Sequence, residues 1–259
     1  MKAIVPMFKR RLARMTTAPP STILLRLDWI EALQAPGCAL CRLAQQKSLR
    51  YVDTLLQEAV TDVAQRDAWR AARGLCHSHA WMAVTIPHSA GCLALLYADV
   101  LGHDLAPLAS LTATSPAPPR WRTRRALGQR LRDWLRSWEA PPACLVCGLW
   151  TEQERLYLQV LLDDWQEPEL AQAFTAAHGL CWRHTQRLVG CGLSHRHIQA
   201  VLTAQAAHMQ TLQQDLQEFI RKQDYRFASE AYGREADVWR RAVTFYVREP
   251  GAAGSESVY

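Results

Sequence analysis

Two sets of cysteine and histidine residues recur along this 259-residue chain at nearly the same spacing. Copy one contains Cys38, Cys41, Cys76 and His79, and copy two contains Cys144, Cys147, Cys181 and His184. The second and third cysteines are separated by 34 residues in copy one and by 33 in copy two. Three thiolates and one imidazole form a ligand set typical of closed tetrahedral zinc sites. The spacing therefore predicts metal binding, but it names no substrate and no reaction.

Three kinds of chemistry fit these residues, and the sequence favours the first. Structural zinc, two ions per chain, uses all four ligands of each copy. An iron–sulfur cluster is an alternative, although such clusters more often have four cysteine ligands. A dithiol redox pair would use the Cys-x-x-Cys alone and would leave the distant Cys and His unexplained. The sequence does not favour attachment of c-type haem, because that requires His directly after the Cys-x-x-Cys, where this chain has Arg42 and Gly148.

The sequence leaves the pairing of the ligands open. Closure within each copy is the simpler arrangement, because each copy supplies a complete set. The alternative pairs the ligands across the copies, so that Cys38 and Cys41 meet Cys181 and His184.

The repetition extends beyond the ligands. Tyr51 and Tyr157 each lie ten residues after the second cysteine of their copy, and a Gly-Leu pair precedes both Cys76 and Cys181. Self-similarity over a period of about 105 residues indicates an internal duplication. We therefore predict two homologous helical modules, each closed by a Cys3His metal site.

Composition and periodicity predict an all-α protein, since helix-forming residues dominate and β-branched runs are rare. In copy one we expect a helix over 41–59 and a shorter one over 62–73 that stops at Gly74. Copy two repeats this pattern over 147–165 and 168–178. A helical hairpin of this kind would bring its two ends, and thus the ligands, together.

The expected organisation has six segments, of which a Pro/Ser/Thr/Ala-rich linker is the clearest. They are a basic tail (1–22), module 1 (23–105), the linker (106–120), a basic amphipathic helix (121–140), module 2 (141–249) and a disordered tail (250–259).

The net charge of +6 is concentrated in residues 120–138, which hold seven arginines and one aspartate. A basic amphipathic helix there could bind nucleic acid or an acidic membrane surface, with Arg122, Arg124 and Arg125 as anion-binding residues. A packed connector with solvated arginines is the favoured interpretation, because apolar helix stripes usually face a core.

Two features of the C-terminal part concern partners and sites. Apolar residues spaced three and four apart over 198–219 predict a helix seam, either for intramolecular packing or for a homodimer. The other partner that the sequence allows is a different, unidentified protein. The polar block Lys222, Asp224, Tyr225 and Arg226 forms either a site or a salt-bridged cap of that helix, and the cap is favoured.

The expected compartment is the cytoplasm. The eight cysteines have metal-like spacing rather than the pattern of a disulfide framework, and the N-terminus lacks the apolar region of a secretory signal. No catalytic constellation is visible, so a binding or scaffold protein is favoured over an enzyme.

The Cys-x-x-Cys, Gly-Leu-Cys-x-x-His and Lys-x-Asp-Tyr-Arg-Phe blocks, in this order, resemble the bacterial DUF6062 proteins over roughly residues 24–245. The resemblance implies a bacterial cytosolic protein and little about its chemistry. Gln223 departs from the histidine expected at that position, which weakens a site at the Lys222 block.

Overall fold

The structure is a computed structural model that describes residues 22–112, 128–133, 136, 144–227 and 229–248. Within these residues every regular element is helical, which confirms the all-α class. The helices are α1 (Thr22–Leu33), α2 (Ala39–Thr61), α3 (Val63–Ala71), α4 (His77–Thr85), α5 (Ala90–Thr112), α6 (Leu145–Asp163), α7 (Pro168–Ala176), α8 (Trp182–Gly192), α9 (Ile198–Lys222) and α10 (Val238–Val247), with a 3-10 turn at Tyr225–Phe227.

Local sequence explains where the short helices begin and end. The Asp62 carboxylate accepts the backbone N–H groups of Ala64 (2.7 Å) and Gln65 (3.1 Å) and so caps the start of α3. Pro168 opens α7, where its missing N–H costs nothing. These boundaries agree with the predicted short helices to within a few residues.

The described residues fall into two compact units. The first unit comprises 22–43 and 154–248, and the second comprises 44–153. Each unit therefore takes segments from both predicted modules. Homology of the two modules stays a prediction from the sequence.

The first unit is organised around Trp29 of α1, which is fully buried. Its indole N–H donates to the backbone carbonyl of Tyr157 at 2.9 Å, and the Tyr157 hydroxyl donates to Asp28. Helix α1 packs against α7, and α9 packs against α7, α8 and α10. The seam predicted over 198–219 thus lies within this bundle, and a homodimer through it stays a prediction.

The second unit has its own core, in which α3 and α4 pack against α5. This core includes the side chain of Trp69, which is 1% exposed and meets the ring of Tyr97 edge-on at 5.8 Å. An ion pair between Arg70 and Asp99 (2.7 Å) also joins α3 to α5.

The structure describes only parts of the predicted linker and of the predicted basic helix. Helix α5 continues to Thr112, so the beginning of the expected linker is helical. Residues 128–133 of the basic segment are helical, whereas Arg122, Arg124 and Arg125 lie outside the described residues.

Among the helices described, none combines the length and apolarity needed to cross a lipid bilayer.

Candidate metal centres

The structure brings the eight predicted ligand residues together in two clusters of three cysteines and one histidine. The first cluster contains Cys38, Cys41, Cys181 and His184, and the second cluster contains Cys76, His79, Cys144 and Cys147. In each cluster the candidate ligand atoms all lie within 4.8 Å of one another. Either cluster could hold one metal ion.

The expected closure within each copy is wrong, and the ligands pair across the copies. Helix lengths give the reason. The 23 residues of α2 extend for about 34 Å, whereas the nine residues of α3 return only about 13 Å. Only a short turn separates α3 from Cys76, so this cysteine cannot return to the start of α2. The Cys-x-x-Cys of one copy therefore meets the Cys-x-x-His of the other.

In the first cluster the histidine presents Nδ1 to all three sulfur atoms. The Nδ1 atom of His184 lies 3.3 Å from Cys38 Sγ, 3.5 Å from Cys41 Sγ and 3.3 Å from Cys181 Sγ. The sulfur atoms of Cys41 and Cys181 are 3.8 Å apart.

The second cluster repeats this arrangement. The Nδ1 atom of His79 lies 3.2 Å from Cys76 Sγ, 3.7 Å from Cys144 Sγ and 3.4 Å from Cys147 Sγ. The sulfur atoms of Cys76 and Cys147 are 3.6 Å apart.

These distances fit the edges of one coordination tetrahedron. With Zn–S bonds of about 2.3 Å and a Zn–N bond of about 2.0 Å, such a tetrahedron has S–S edges of about 3.8 Å and S–N edges of about 3.5 Å. The sulfur atoms are too far apart for disulfides, and all eight cysteines are free. The geometry of each cluster therefore fits one tetrahedral ion.

Each cluster is built from the N-termini of two helices. Cys38 and Cys144 directly precede α2 and α6, and Cys76 and Cys181 directly precede α4 and α8. The remaining ligands, Cys41, Cys147, His79 and His184, are each the third residue of one of these helices. The partial positive charge at a helix N-terminus stabilises thiolates, which are the metal-binding form of cysteine.

The repeated Gly-Leu pair has a geometric role in front of the third cysteine. Gly74 and Gly179 have φ angles of +88° and +72°, a region that disfavours side chains. A Cβ on Gly179 would lie 2.6 Å from Gln205 Oε1. The Gln205 amide accepts from the Leu180 N–H and donates to the Leu180 carbonyl, both at 2.8 Å. These bonds fix the loop that delivers Cys181.

A second loop delivers Cys38. The Arg42 guanidinium donates to the carbonyls of Ala32 (2.7 Å) and Pro36, which folds the turn after α1. The Gly37 N–H then donates to His178 Nδ1 at 2.8 Å. Because His178 lies in the loop before Cys181, this bond ties together the two loops that form the first cluster.

Electrostatics in the first cluster favour one thiolate beside a protonated imidazole. Burial lowers the pKa of His184, but the charge on Cys38 and hydrogen bonds with Cys181 and Cys38 outweigh it and raise the pKa to about 10. Burial opposes ionisation of Cys38, yet hydrogen bonds from Cys181 and Cys41 hold its pKa well below the ordinary value. Hydrogen bonds with Cys181 and Cys38 raise the pKa of Cys41. A bound cation would remove the repulsion that opposes further ionisation.

The pKa values in the second cluster shift in the same directions as those in the first. Burial lowers the pKa of His79, but hydrogen bonds with Cys144 and Cys76 raise it to about 9. Hydrogen bonds from Cys147 and Cys76 lower the pKa of Cys144, and hydrogen bonds with Cys144 and Cys76 raise that of Cys147.

The two clusters differ at the outer nitrogen of their histidines. A carboxylate oxygen of Glu154 lies 3.5 Å from His184 Nε2, and both side chains are buried. Among the described residues, His79 Nε2 is buried without a hydrogen-bond partner. Seven residues after the second cysteine, copy two has Glu154 where copy one has Ser48. Metal-binding histidines commonly donate the outer N–H to a carboxylate, which raises their basicity.

The predicted polar block forms contacts at the end of α9 and does not line the metal clusters. Lys222 Nζ donates to Glu235 at 2.6 Å and to the Ala231 carbonyl at 2.8 Å. Asp224 accepts from the backbone and side chain of Arg226. Tyr225 is exposed. The contacts resemble a salt-bridged cap, and a binding role for the block stays a prediction.

Sequence reasoning missed several residues that shape the first cluster and its surroundings. Glu154 is a buried carboxyl residue that lies between Trp150 and Leu158 on α6. Because it interrupts an apolar stripe, the sequence pattern could have identified it. Gln205, His208 and Asp215 also share one helical face of α9, since they are spaced three and seven residues apart.

Comparisons with known proteins give one match. A family model described as a family of unknown function (DUF6062) matches residues 26–251. Neither the curated proteins nor the solved structures include a significant match to the chain.

Proposed function

Because the chain belongs to the DUF6062 family, whose function is unknown, we propose from the geometry of the two clusters that each binds one structural zinc ion. The main support for this proposal is that the distances between the ligand atoms of each cluster match the edge lengths of a single zinc tetrahedron. Four protein ligands complete the usual coordination of structural zinc and leave no position for a substrate.

The ions would act as cross-links between helix starts that are far apart in the sequence. In the first cluster, Cys38 and Cys41 would be tied to Cys181 and His184 through one ion. Because the unfolded chain has no such site, the free energy of metal binding would add to the free energy of folding. We infer that the helical framework serves as a binding or scaffold module in a reducing compartment such as the cytoplasm, where thiols stay free.

An iron–sulfur or dithiol redox protein is the competing candidate. All four candidate ligand atoms of each cluster lie within 4.8 Å of one another, which favours a single ion over a multi-iron cluster, because the bulk of such a cluster separates ligands bound to different irons further. Binding of nucleic acid or an acidic membrane surface through Arg122, Arg124 and Arg125 is a third candidate, supported by the sequence alone.

Elemental analysis with an absorption spectrum, on untagged protein purified anaerobically, tests the proposal. We expect two zinc ions per chain and no visible absorbance. Iron with sulfide and visible absorbance would establish the iron–sulfur alternative, whereas absence of bound metal would overturn the zinc proposal and favour the dithiol alternative.

A matched pair of variants then assigns the ions. Cys181→Ser removes a ligand, and Cys191→Ser removes an exposed cysteine of α8 outside the cluster. We expect one zinc ion per chain and a lower melting temperature for the first variant. The second variant should retain two ions and the original melting temperature.

A further inference from the structure

A cavity of about 600 Å3 lies in the first unit, next to the first cluster. Its wall includes Cys38 and Cys181 together with side chains of α9 and α10. This volume is in the range of small-molecule sites, which usually combine apolar walls with a few convergent polar groups.

A buried carboxylate organises the polar part of this wall. The Asp215 side chain is only 5% exposed and accepts from Arg234 Nε at 2.7 Å and from Arg241 Nη2 at 3.1 Å. Arg241 also donates to the Arg234 carbonyl (2.7 Å) and to Asp237 (2.9 Å). These contacts hold two guanidinium groups side by side on the cavity wall.

The guanidinium groups keep donors that these contacts do not use. Each guanidinium has five N–H donors. In the contacts to Asp215 and its neighbours, Arg234 uses only Nε, and Arg241 uses only Nε and Nη2. Arg240 also lines the cavity; its guanidinium lies 4.8 Å from the centre of the Trp239 ring, and among the described residues it has no carboxylate partner. Unused guanidinium donors are well suited to the oxygens of a phosphate or carboxylate.

The arginines of the wall outnumber its carboxylates. Both aspartates of the wall, Asp215 and Asp237, are already paired with arginines. Three arginines line the cavity against these two carboxylates, so Arg240 is the arginine without a carboxylate partner, while the two cysteines of the wall, Cys38 and Cys181, belong to the first cluster. The wall also includes the apolar side chains of Leu180, Leu212 and Phe245.

The block at the end of α9 supports this wall. Lys222 bonds to Glu235 at 2.6 Å, and Glu235 accepts the Gly233 N–H at 2.9 Å. These bonds fix the turn on either side of Arg234. The block that contributes to the family resemblance therefore positions a residue of the cavity.

We propose that this cavity binds a small molecule that carries an oxyanion group, phosphate or carboxylate, on an apolar or aromatic body. Arg240, with the unused donors of Arg234 and Arg241, binds the oxyanion. Leu180, Leu212 and Phe245 contact the body. None of these six residues is a candidate metal ligand of the first cluster.

Isothermal titration calorimetry of the full-length protein, as purified, with phenyl phosphate and with benzoate tests the proposal. At least one probe should bind saturably with one site per chain, and the tighter probe identifies the oxyanion. Arg240→Gln should weaken that binding about tenfold or more, because it removes a charged donor. Arg196→Gln is the matched control, since Arg196 is exposed in the same unit and does not line the cavity.

A second variant separates the cavity from general charge attraction. Thr244 is a half-buried residue of α10 on the cavity wall, and Thr244→Trp should fill the cavity and abolish binding without changing the net charge. An unchanged melting temperature of Arg240→Gln shows that its effect is local. The proposal is overturned if neither probe binds saturably, if Arg240→Gln and Arg196→Gln bind alike, or if Thr244→Trp still binds.

Discussion

A carboxylate oxygen of Glu154 lies 3.5 Å from Nε2 of His184, and the two side chains are each only 3% exposed. Arg187 approaches the same oxygen at 3.7 Å. The inner nitrogen, Nδ1, is directed at the three thiols of the first cluster. Glu154 Oε1 is in ion-pair contact with the ring and has no hydrogen-bond partner among the described residues, and its negative charge favours the tautomer whose Nδ1 lone pair can bind a metal.

Removal of this carboxylate should weaken metal binding at the first cluster. We expect Glu154→Ala to lower the zinc affinity of that cluster about 10–100-fold, the usual effect of losing such a partner. Competition with a chromogenic chelator measures the affinity. Glu152→Ala, at an exposed position of the same helix, should leave it unchanged. Equal affinities for the two variants would contradict a role for Glu154.

The two clusters should lose zinc at different rates. In the first cluster the ligand residues are 9%, 7%, 2% and 3% exposed, whereas all three cysteines of the second are partly exposed. Within the part of the chain that the structure describes, His79 also has no counterpart of the carboxylate that lies beside His184. Because access and ligand basicity both control release, the second cluster should release its ion first.

Release into excess chelator should then show two phases of equal amplitude. Cys144→Ser should remove the fast phase, and Cys181→Ser should remove the slow phase. A single phase in the unaltered protein, or the opposite assignment, would show that burial does not control release.

Alanine at Gly179 should destabilise the first unit. The φ of +72° and the 2.6 Å approach to Gln205 Oε1 oppose any Cβ there. We expect Gly179→Ala to lower the free energy of unfolding by about 1–3 kcal/mol, measured by urea denaturation of the zinc-loaded protein. Gly190 lies in α8 with open space around it, so Gly190→Ala should be neutral or stabilising by up to about 1 kcal/mol.

Glu235 should contribute a pH-dependent part of the stability. A hydrogen bond from Lys222, assisted by the Gly233 N–H, lowers the pKa of Glu235 from 4.5 to about 2. Since the pKa is lower in the folded state, this contribution is present above about pH 4.5 and is lost as the pH falls towards 2. Glu235→Gln should therefore be less stable than the unaltered protein at pH 7, and the difference should narrow at pH 3.

Urea unfolding at pH 7, 5 and 3 measures that difference, and comparison at each pH cancels acid release of metal. Glu152→Gln is the control, and its difference from the unaltered protein should stay constant. A Glu235→Gln difference that does not change with pH would refute the linkage.

The sequence by itself determined the helical class, the identity of the eight candidate ligands and, to within three residues, the ends of the short helices before Gly74 and Gly179. These features depend on local chemistry: ligand type, helix propensity and backbone freedom are properties of a few neighbouring residues. The helix boundaries around Asp62 and Pro168 could be predicted for the same reason.

Only the tertiary structure decided which ligands meet. Pairing of Cys41 with Cys181 follows from the lengths and packing of whole helices, which a repeated motif does not encode. The partners of His184 and Asp215 could not be predicted from the sequence either. Glu154 comes close to His184, and Arg241 to Asp215, only after the helices pack. Spacing along the chain identifies groups that can bind a metal, whereas contacts between residues far apart in the sequence decide the composition of each cluster.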